Sequence, residues 1–568
     1  MPGPEMAADL RRYWPRVLRI LLLSAVFVMP VMIMRGKSAI SDEVAHLPAG
    51  YSYLATRIFK INPQHPPFIK ELSAIPLLFL GAKMPVDRET LETSVLPLPY
   101  QWDFGKAFLF SQNAERLLFW GRVPVVLLSL GLAVLVSLWA GRLWGTAAGL
   151  LGLVLYAFDP TITAHAQLVT TDIGVAFFAT LFLYLLRRHL AAPSWQRLVL
   201  SGVALGLALA AKFSALFLIP VAAVLVGLAA WKGREDDRRG ERRIGRPAGK
   251  RKGRDAETAT VIDPSRGDNA STRLLFATGT VGLLVLLASV VVWATYFFPS
   301  DLRFYVNGVQ TVNQDHHPEY PYYLMGRLKE KGWVHYLLIA WLVKTPLASL
   351  LLLAAAVVAF FVGKRAPWLD EAFLVVPALA FFIGYSLTAD NIGVRYLIPC
   401  FPFFFIFTAR LGAVLGSIRR WGRGALALLL GWYLVEFAAI WPDHLSYFNQ
   451  IAGGPRHGVE WLDDSNVDWG QGLIQLRRYL ADRRVGDYRF CYFGSADPGY
   501  YGIRGERVTP KGLGPYLPAP GTLIISAHCV ARGQALLATV HGRGPNNWLL
   551  HTAPKAIVGH AYYVYEIP

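Results

Sequence analysis

The sequence predicts a polytopic α-helical membrane protein of about eleven transmembrane helices, followed by a small extracytoplasmic α/β domain. Three observations predict it. The 568 residues are 54% hydrophobic and only 17% charged, with a mean hydropathy of +0.37, outside the range of soluble domains. Apolar runs of about 18 or more residues recur through the first three quarters of the chain, each long enough to cross a bilayer as a helix. Beyond residue 441 those runs shorten and Gly, Pro, Asp and Tyr rise, over a tail long enough for a small domain. Three cysteines give neither a metal cluster nor a disulfide framework. The formal charge of +18 lies mostly in loops between apolar runs, which reads as membrane topology and not as a nucleic-acid-binding face.

Arg11, Arg12, Arg16 and Arg19 precede or open the first apolar run, residues 17–34, and by the positive-inside rule put the N-terminus in the cytoplasm. That run lacks a small-residue cleavage site and is expected to be retained, serving as signal and anchor together. Residues 35–112 then form an external loop, with apolar patches such as 68–80 expected to lie along the surface as helices. Spans two and three cover 117–139 and 147–165 around an inner turn holding Arg142. Span four, 173–186, returns inside at Arg187 and Arg188. Spans five and six, 198–211 and 213–231, flank an external Lys212. Residues 232–273 are dense in Arg, Lys, Asp, Glu and Gly. They cannot bury a core and are expected to be disordered in the cytoplasm, a topogenic loop in preference to a nucleic-acid or anionic-lipid site. Span seven, 274–297, precedes an external loop rich in Tyr, His and Pro. Residues 334–362 are too long for one upright helix; a surface helix and then a span, broken near Thr345-Pro346, fits them. Spans nine to eleven cover 373–387, 396–411 and 425–440. The odd count puts the C-terminus outside and divides the chain into a membrane domain, 1–441, and an external domain, 442–568. In the latter, 470–481 has helical spacing, while 488–493, 522–527 and 562–565 read as strands. Cys491 and Cys529 fall near strand ends, either as a disulfide or as two independent core residues.

This orientation gathers separated charges on one face. Asp42 and Glu43, in Ser41-Asp42-Glu43-Val44-Ala45-His46, follow the first span, where fixed anionic charge is costly unless it has a use. Asp172 opens span four, as an N-cap or as a site residue. Lys212 ends span five, where snorkelling alone would explain it. Arg395 and Tyr396 precede span ten. Charges that converge at one membrane edge can serve one site between lipid and water.

The acidic pair after the first helix, with His65-Pro66-Pro67 downstream, resembles the first external loop of the GT-C membrane glycosyltransferases. The resemblance is to the protein O-mannosyltransferase-like branch, glycosyltransferase family 39, and its aminoarabinose-transferase relatives. Arg395-Tyr396-Leu397 and the segment Asp464-Ser465-Asn466-Val467-Asp468-Trp469-Gly470-Gln471 add to it. The resemblance implies an inverting transferase on the outer face of a bacterial inner membrane, taking a sugar from a polyprenyl-phosphate donor. Its acceptor, whether protein, lipid or glycan, is not legible.

Such a reaction needs a base for the acceptor hydroxyl, electrostatic support for an oxocarbenium-like transition state and cations for the leaving phosphate. By resemblance Asp42 is the base, and Glu43 orients the loop or contacts the sugar. Arg395 clamps the phosphate with Lys212 as a second cation, and Asp172 has a supporting or metal-binding role. His65 either orients substrate or shapes its turn, and Tyr396 is expected at the substrate. Asp468 and Trp469 either bind sugar, by hydroxyl contacts and ring stacking, or cap a helix and anchor the fold. No cofactor is implied beyond a divalent cation, for which Asp172, His316 and His317 are the candidates. Two other classes compete: a transporter or lipid flippase, disfavoured because charges cluster at one face and not at mid-span, and a catalytically silent scaffold.

Overall fold

The computed structural model describes residues 4–95, 100–244, 270–301, 303–314, 321–363, 365–415, 419–509, 513, 517–541 and 547–568. Among them, eight helices are long and apolar enough to cross a membrane, starting with Tyr13–Met34 and ending with Arg420–Ala439. The helices Tyr336–Lys344 and Leu347–Val362 pass the same test only when taken together, and they are bent by 108° at the break between them. The break falls at Thr345-Pro346, as the sequence indicates, because proline cannot donate to the preceding turn. The chain is an integral membrane protein.

Two of the eleven expected spans are shorter than the roughly 20 residues of a typical crossing. The third divides into Thr146–Ala157 and Pro160–His165, with Asp159 capping the second piece by accepting from the Ile162 N–H at 2.9 Å. The fifth is the 17-residue helix Trp195–Ala211, packed between Asp172–Ala191 and Ala270–Thr295. The basic loop also starts later than expected. The helix Leu218–Ile244 runs past the end of its apolar run, because Lys, Arg and Glu are strong helix formers. Residues 245–269, where disorder is expected, lie outside the described residues.

The first external segment folds into four helices: Ser41–Thr56, Phe68–Phe79, Arg88–Thr93 and Tyr100–Phe110. Ser41–Thr56 does not lie on the surface. It is almost wholly buried between Phe68–Phe79 and Tyr100–Phe110. Glycine permits both crossings. A Cβ on Gly50 would sit 2.0 Å from the Lys70 carbonyl oxygen, and one on Gly105 would sit 1.8 Å from that of Val44.

A hairpin, β1 (Tyr322–Leu324) and β2 (Arg327–Lys329), turns at Met325 and Gly326, both at positive φ. The C-terminal part holds a five-stranded mixed sheet of β3 (Tyr488–Cys491), β4 (Glu506–Arg507), β5 (Gly521–Ser526), β6 (Ala556–Val558) and β7 (Tyr562–Ile567). Its order is β4-β3-β5-β7-β6, parallel around β3 and antiparallel around β7. The helix Ala527–His541 returns from β5 to cover it. The expected α/β layer is present, with β4, β6 and this helix beyond the sequence reading. Cys491 and Cys529 are buried and free, side by side between β3 and that helix. The layer is docked on the first external segment: the Ser38 N–H donates to the Gln471 carbonyl at 3.1 Å, and the Ala39 N–H to the Tyr501 hydroxyl at 3.1 Å.

Candidate active site

Successive side chains on a helix point about 100° apart, so the acidic pair at the start of Ser41–Thr56 divides. Glu43 turns inward. Its Oε1 accepts from Arg122 Nε at 2.7 Å and the Val169 N–H at 3.1 Å; its Oε2 accepts from Arg122 Nη2 at 2.7 Å and the Ile40 N–H at 3.1 Å. With no exposure and both oxygens committed, Glu43 does not contact a sugar, and that half of its expectation is corrected. The remaining Arg122 N–H groups bind the carbonyls of Met34, Lys37 and Ser38. The pair therefore lashes the end of the first span to the helix Ala114–Trp144.

Asp42 turns the other way, into a cavity of about 500 Å³ that it shares with His46, His65, Lys212, Arg395 and Tyr396. Its Oδ2 accepts from Arg395 Nη1 at 2.7 Å. Behind these stands Asp172, whose Oδ1 accepts from Lys212 Nζ at 2.6 Å and whose Oδ2 lies 4.0 Å from Arg395 Nη1. Four charges from four separate stretches of chain thus alternate in sign: Asp42, Arg395, Asp172, Lys212. The cation faces also stack, Lys212 Nζ at 4.8 Å from the Tyr396 ring and Arg395 Cζ at 4.3 Å from the Trp469 ring.

Two single-residue readings fail here. Asp172 is no N-cap: it is the first helical residue, and the capping position is Thr171, which makes no side-chain cap. Lys212 does not snorkel. The chain breaks at Lys212 between Trp195–Ala211 and the 3₁₀ turn Phe213–Phe217, which aims the side chain at Asp172 with only 6% exposure.

His65 lines the cavity edge-on to His46, their ring centroids 5.1 Å apart. Burial lowers the pKa of His46 below its usual 6.5, against the pull of Asp42, and that of His65 well below it, so both rings are neutral near pH 7. Lys70 fixes the turn beneath them, donating to the Asn62 and His65 carbonyls at 2.7 Å each and to Asn62 Oδ1 at 3.0 Å. Gln64, Gln101 and Trp102 complete a neutral polar wall, while Phe213, Phe217 and Val312 make an apolar one. His46, one turn after Asp42, closes the motif quoted from the sequence but was given no role there; its i,i+4 spacing from Asp42 was the available signal.

Asp468 does not reach the cavity. It is fully buried, its Oδ1 accepting from the Gly470 N–H at 2.9 Å, and burial raises its pKa to about 7. Nor does it cap the helix Leu473–Asp482, whose capping residue is Gly472. Trp469, 2% exposed, spends a ring face on Arg395 and is not a sugar platform. Both corrections share a cause: the segment is buried, with Trp469 packed among Ile40, Ala164, Leu168 and Leu445. His316 and His317 lie outside the described residues. Among the described residues no three His, Cys, Asp or Glu side chains are grouped to hold a metal ion, and Asp42 and Asp172 already face cationic side chains, so this donor set does not fit one.

Residues 109–236, which supply Arg122, Asp172 and Lys212, match the family model described as dolichyl-phosphate-mannose-protein mannosyltransferase. No curated protein matches the chain. Among solved structures, ArnT from Cupriavidus metallidurans in the apo state is 12% identical, with 96% of this chain and 97% of that chain covered and a TM-score of 0.48. The same protein bound to undecaprenyl phosphate is 13% identical over 96% and 97%, with a TM-score of 0.44. The oligosaccharyltransferase of Archaeoglobus fulgidus in the apo form is 12% identical over 93% and 72%, with a TM-score of 0.45. Over residues 109–236 this chain carries the sequence pattern of that mannosyltransferase family, and the resemblance to GT-C glycosyltransferases read from its first external segment is borne out.

Proposed function

We propose that this protein transfers a sugar from a polyprenyl-phosphate donor to an acceptor hydroxyl at the extracytoplasmic face of a bacterial inner membrane. The observation that supports this reading best is the alternating row Asp42, Arg395, Asp172, Lys212 at the cavity's charged end. Two cations beside a cavity with one apolar wall suit a phosphate attached to an isoprenoid. The amide and imidazole groups that also line it suit the hydroxyls of a sugar.

In this mechanism Arg395 and Lys212 hold the donor phosphate and stabilise it as it leaves with increased charge. Asp172 keeps Lys212 aimed at the cavity. Asp42 takes the proton of the acceptor hydroxyl as its oxygen attacks the anomeric carbon opposite the departing phosphate, which inverts the configuration there. His46 and His65, held neutral by burial, line the cavity as hydrogen-bonding groups for the substrate. No step runs through a metal. The test is purified protein in lipid nanodiscs with polyprenyl-phosphate-linked sugars, the acceptor products and any copurifying lipid identified by mass spectrometry. Transfer with inverted stereochemistry supports the reading. Absence of transfer, with net movement of a lipid or solute across the bilayer in its place, refutes it.

A further inference from the structure

We infer that Trp469 positions Arg395 for the donor phosphate, so that chain beyond the last membrane helix completes the site. The inference rests on the function proposed above. Arg395 lies in the 3₁₀ turn Val394–Cys400, not in the body of a helix, and 3₁₀ hydrogen bonds are weaker restraints than α-helical ones. The restraint comes instead from residues 463–469. Asn466 Oδ1 accepts from the Val394 N–H at 2.9 Å, and Ser465 Oγ donates to the Ile392 carbonyl at 2.7 Å. Gly393 lies flush against this segment: a Cβ there would sit 2.2 Å from Ser465 Oγ. The Trp469 ring then meets the guanidinium face, 4.3 Å from Arg395 Cζ.

The segment is itself pinned from behind. Lys344 Nζ donates to the carbonyls of Asn466 at 2.6 Å and Leu445 at 2.7 Å, Asn466 Nδ2 donates to the Tyr336 hydroxyl at 2.9 Å, and Arg532 Nε donates to Asp463 Oδ2 at 2.7 Å. A guanidinium recognises phosphate through its edge, in its own plane. An indole against the guanidinium at this distance restricts the side chain's rotational freedom, which lowers the cost of ordering it when phosphate binds at its edge. Trp469 touches no reacting atom. It is a positioning residue.

The test measures affinity for polyprenyl phosphate, and separately donor and acceptor KM and kcat, for wild type, Trp469→Leu and Trp469→Phe. Losing a cation–π contact should raise the polyprenyl-phosphate Kd and the donor KM of Trp469→Leu about 3- to 30-fold and leave the acceptor KM unchanged. Trp469→Phe, which keeps a ring face, should recover most of this. Gly393→Ala serves where Trp469→Leu does not fold: it pushes the Arg395 turn off Ser465 and should raise the donor Kd, with Ser465→Ala in the same chain restoring part of it. Unchanged donor Kd in folded Trp469→Leu and Gly393→Ala overturns the inference, as does a rise confined to the acceptor KM. A fall only in the active fraction also overturns it, since that marks Trp469 as structural. Wild type that neither binds polyprenyl phosphate nor transfers refutes the proposed function, and this inference with it. Wild type that binds it no better than the variants refutes the positioning alone.

Discussion

Glu43 and Arg122 close a two-pronged ion pair in the protein interior, 2.7 Å on each prong, across 79 residues of sequence. Asp42, the neighbouring residue, faces the cavity. The two acids of one motif therefore divide into an anchor and a candidate base.

The anchor is testable by stability. Removing one member of a buried pair strands the other's charge, at a cost of about 3–5 kcal/mol. Glu43→Ala and Arg122→Ala should each lower the melting temperature of detergent-solubilised protein markedly, and Glu43→Gln should fall between them and wild type. A melting temperature unchanged by Arg122→Ala contradicts the anchoring role.

Arg395→Ala should weaken donor binding and turnover together, since one cation serves both. The expected loss is roughly 2–4 kcal/mol in the transition state. Arg395→Lys should restore only part, because an ammonium lacks the planar fork that meets phosphate and packs on Trp469. Steady-state kinetics with measured donor affinity check this, and wild-type values in Arg395→Ala would dismiss the clamp.

A pH effect should come from the buried Asp468. Burial raises its pKa from 3.8 to about 7, so between those values the folded chain holds a proton that the unfolded chain has lost. Stability from this group is full below pH 4 and disappears as pH rises through 7. Asp468→Asn, which mimics the protonated side chain, should flatten that dependence. Melting curves at pH 5 and pH 8 give the comparison; an equal drop in wild type and variant would assign the dependence to other groups.

Much of the fold was legible because hydropathy and proline act locally. The apolar runs show the membrane helices, and Thr345-Pro346 shows the bend. The gathering of Asp42, Asp172, Lys212 and Arg395 at one cavity end also followed, from topology. What topology could not give is pairing. Arg122 reads as an ordinary residue of a long helix until Glu43 is seen 79 positions away, and Lys212 looks like a snorkelling cation until Asp172 faces it. Trp469 in an Asp-rich segment suggests a sugar site by composition. Only the fold shows that the Trp469 ring packs against Arg395. The hairpin at Met325-Gly326 was missed although a glycine marks its two-residue turn.

The orientation of the membrane domain is expected to follow the arginines. With all three native cysteines buried, single sites at Gly253→Cys and Gly544→Cys should label from opposite sides of intact cells, the first only after permeabilisation. Labelling of both from one side would contradict a cytoplasmic 232–273 loop and an external C-terminal layer.

The central claim is that Asp42 accepts the acceptor's proton while Arg395 and Lys212 hold the phosphate. The most direct measurement is the transfer rate of Asp42→Asn from a polyprenyl-phosphate sugar, alongside its donor affinity. Asparagine keeps the shape and an acceptor oxygen for Arg395 but cannot take a proton. The rate should fall about 10²–10⁴-fold with donor affinity retained. Transfer by Asp42→Asn at near the wild-type rate would contradict the claim and move the base elsewhere.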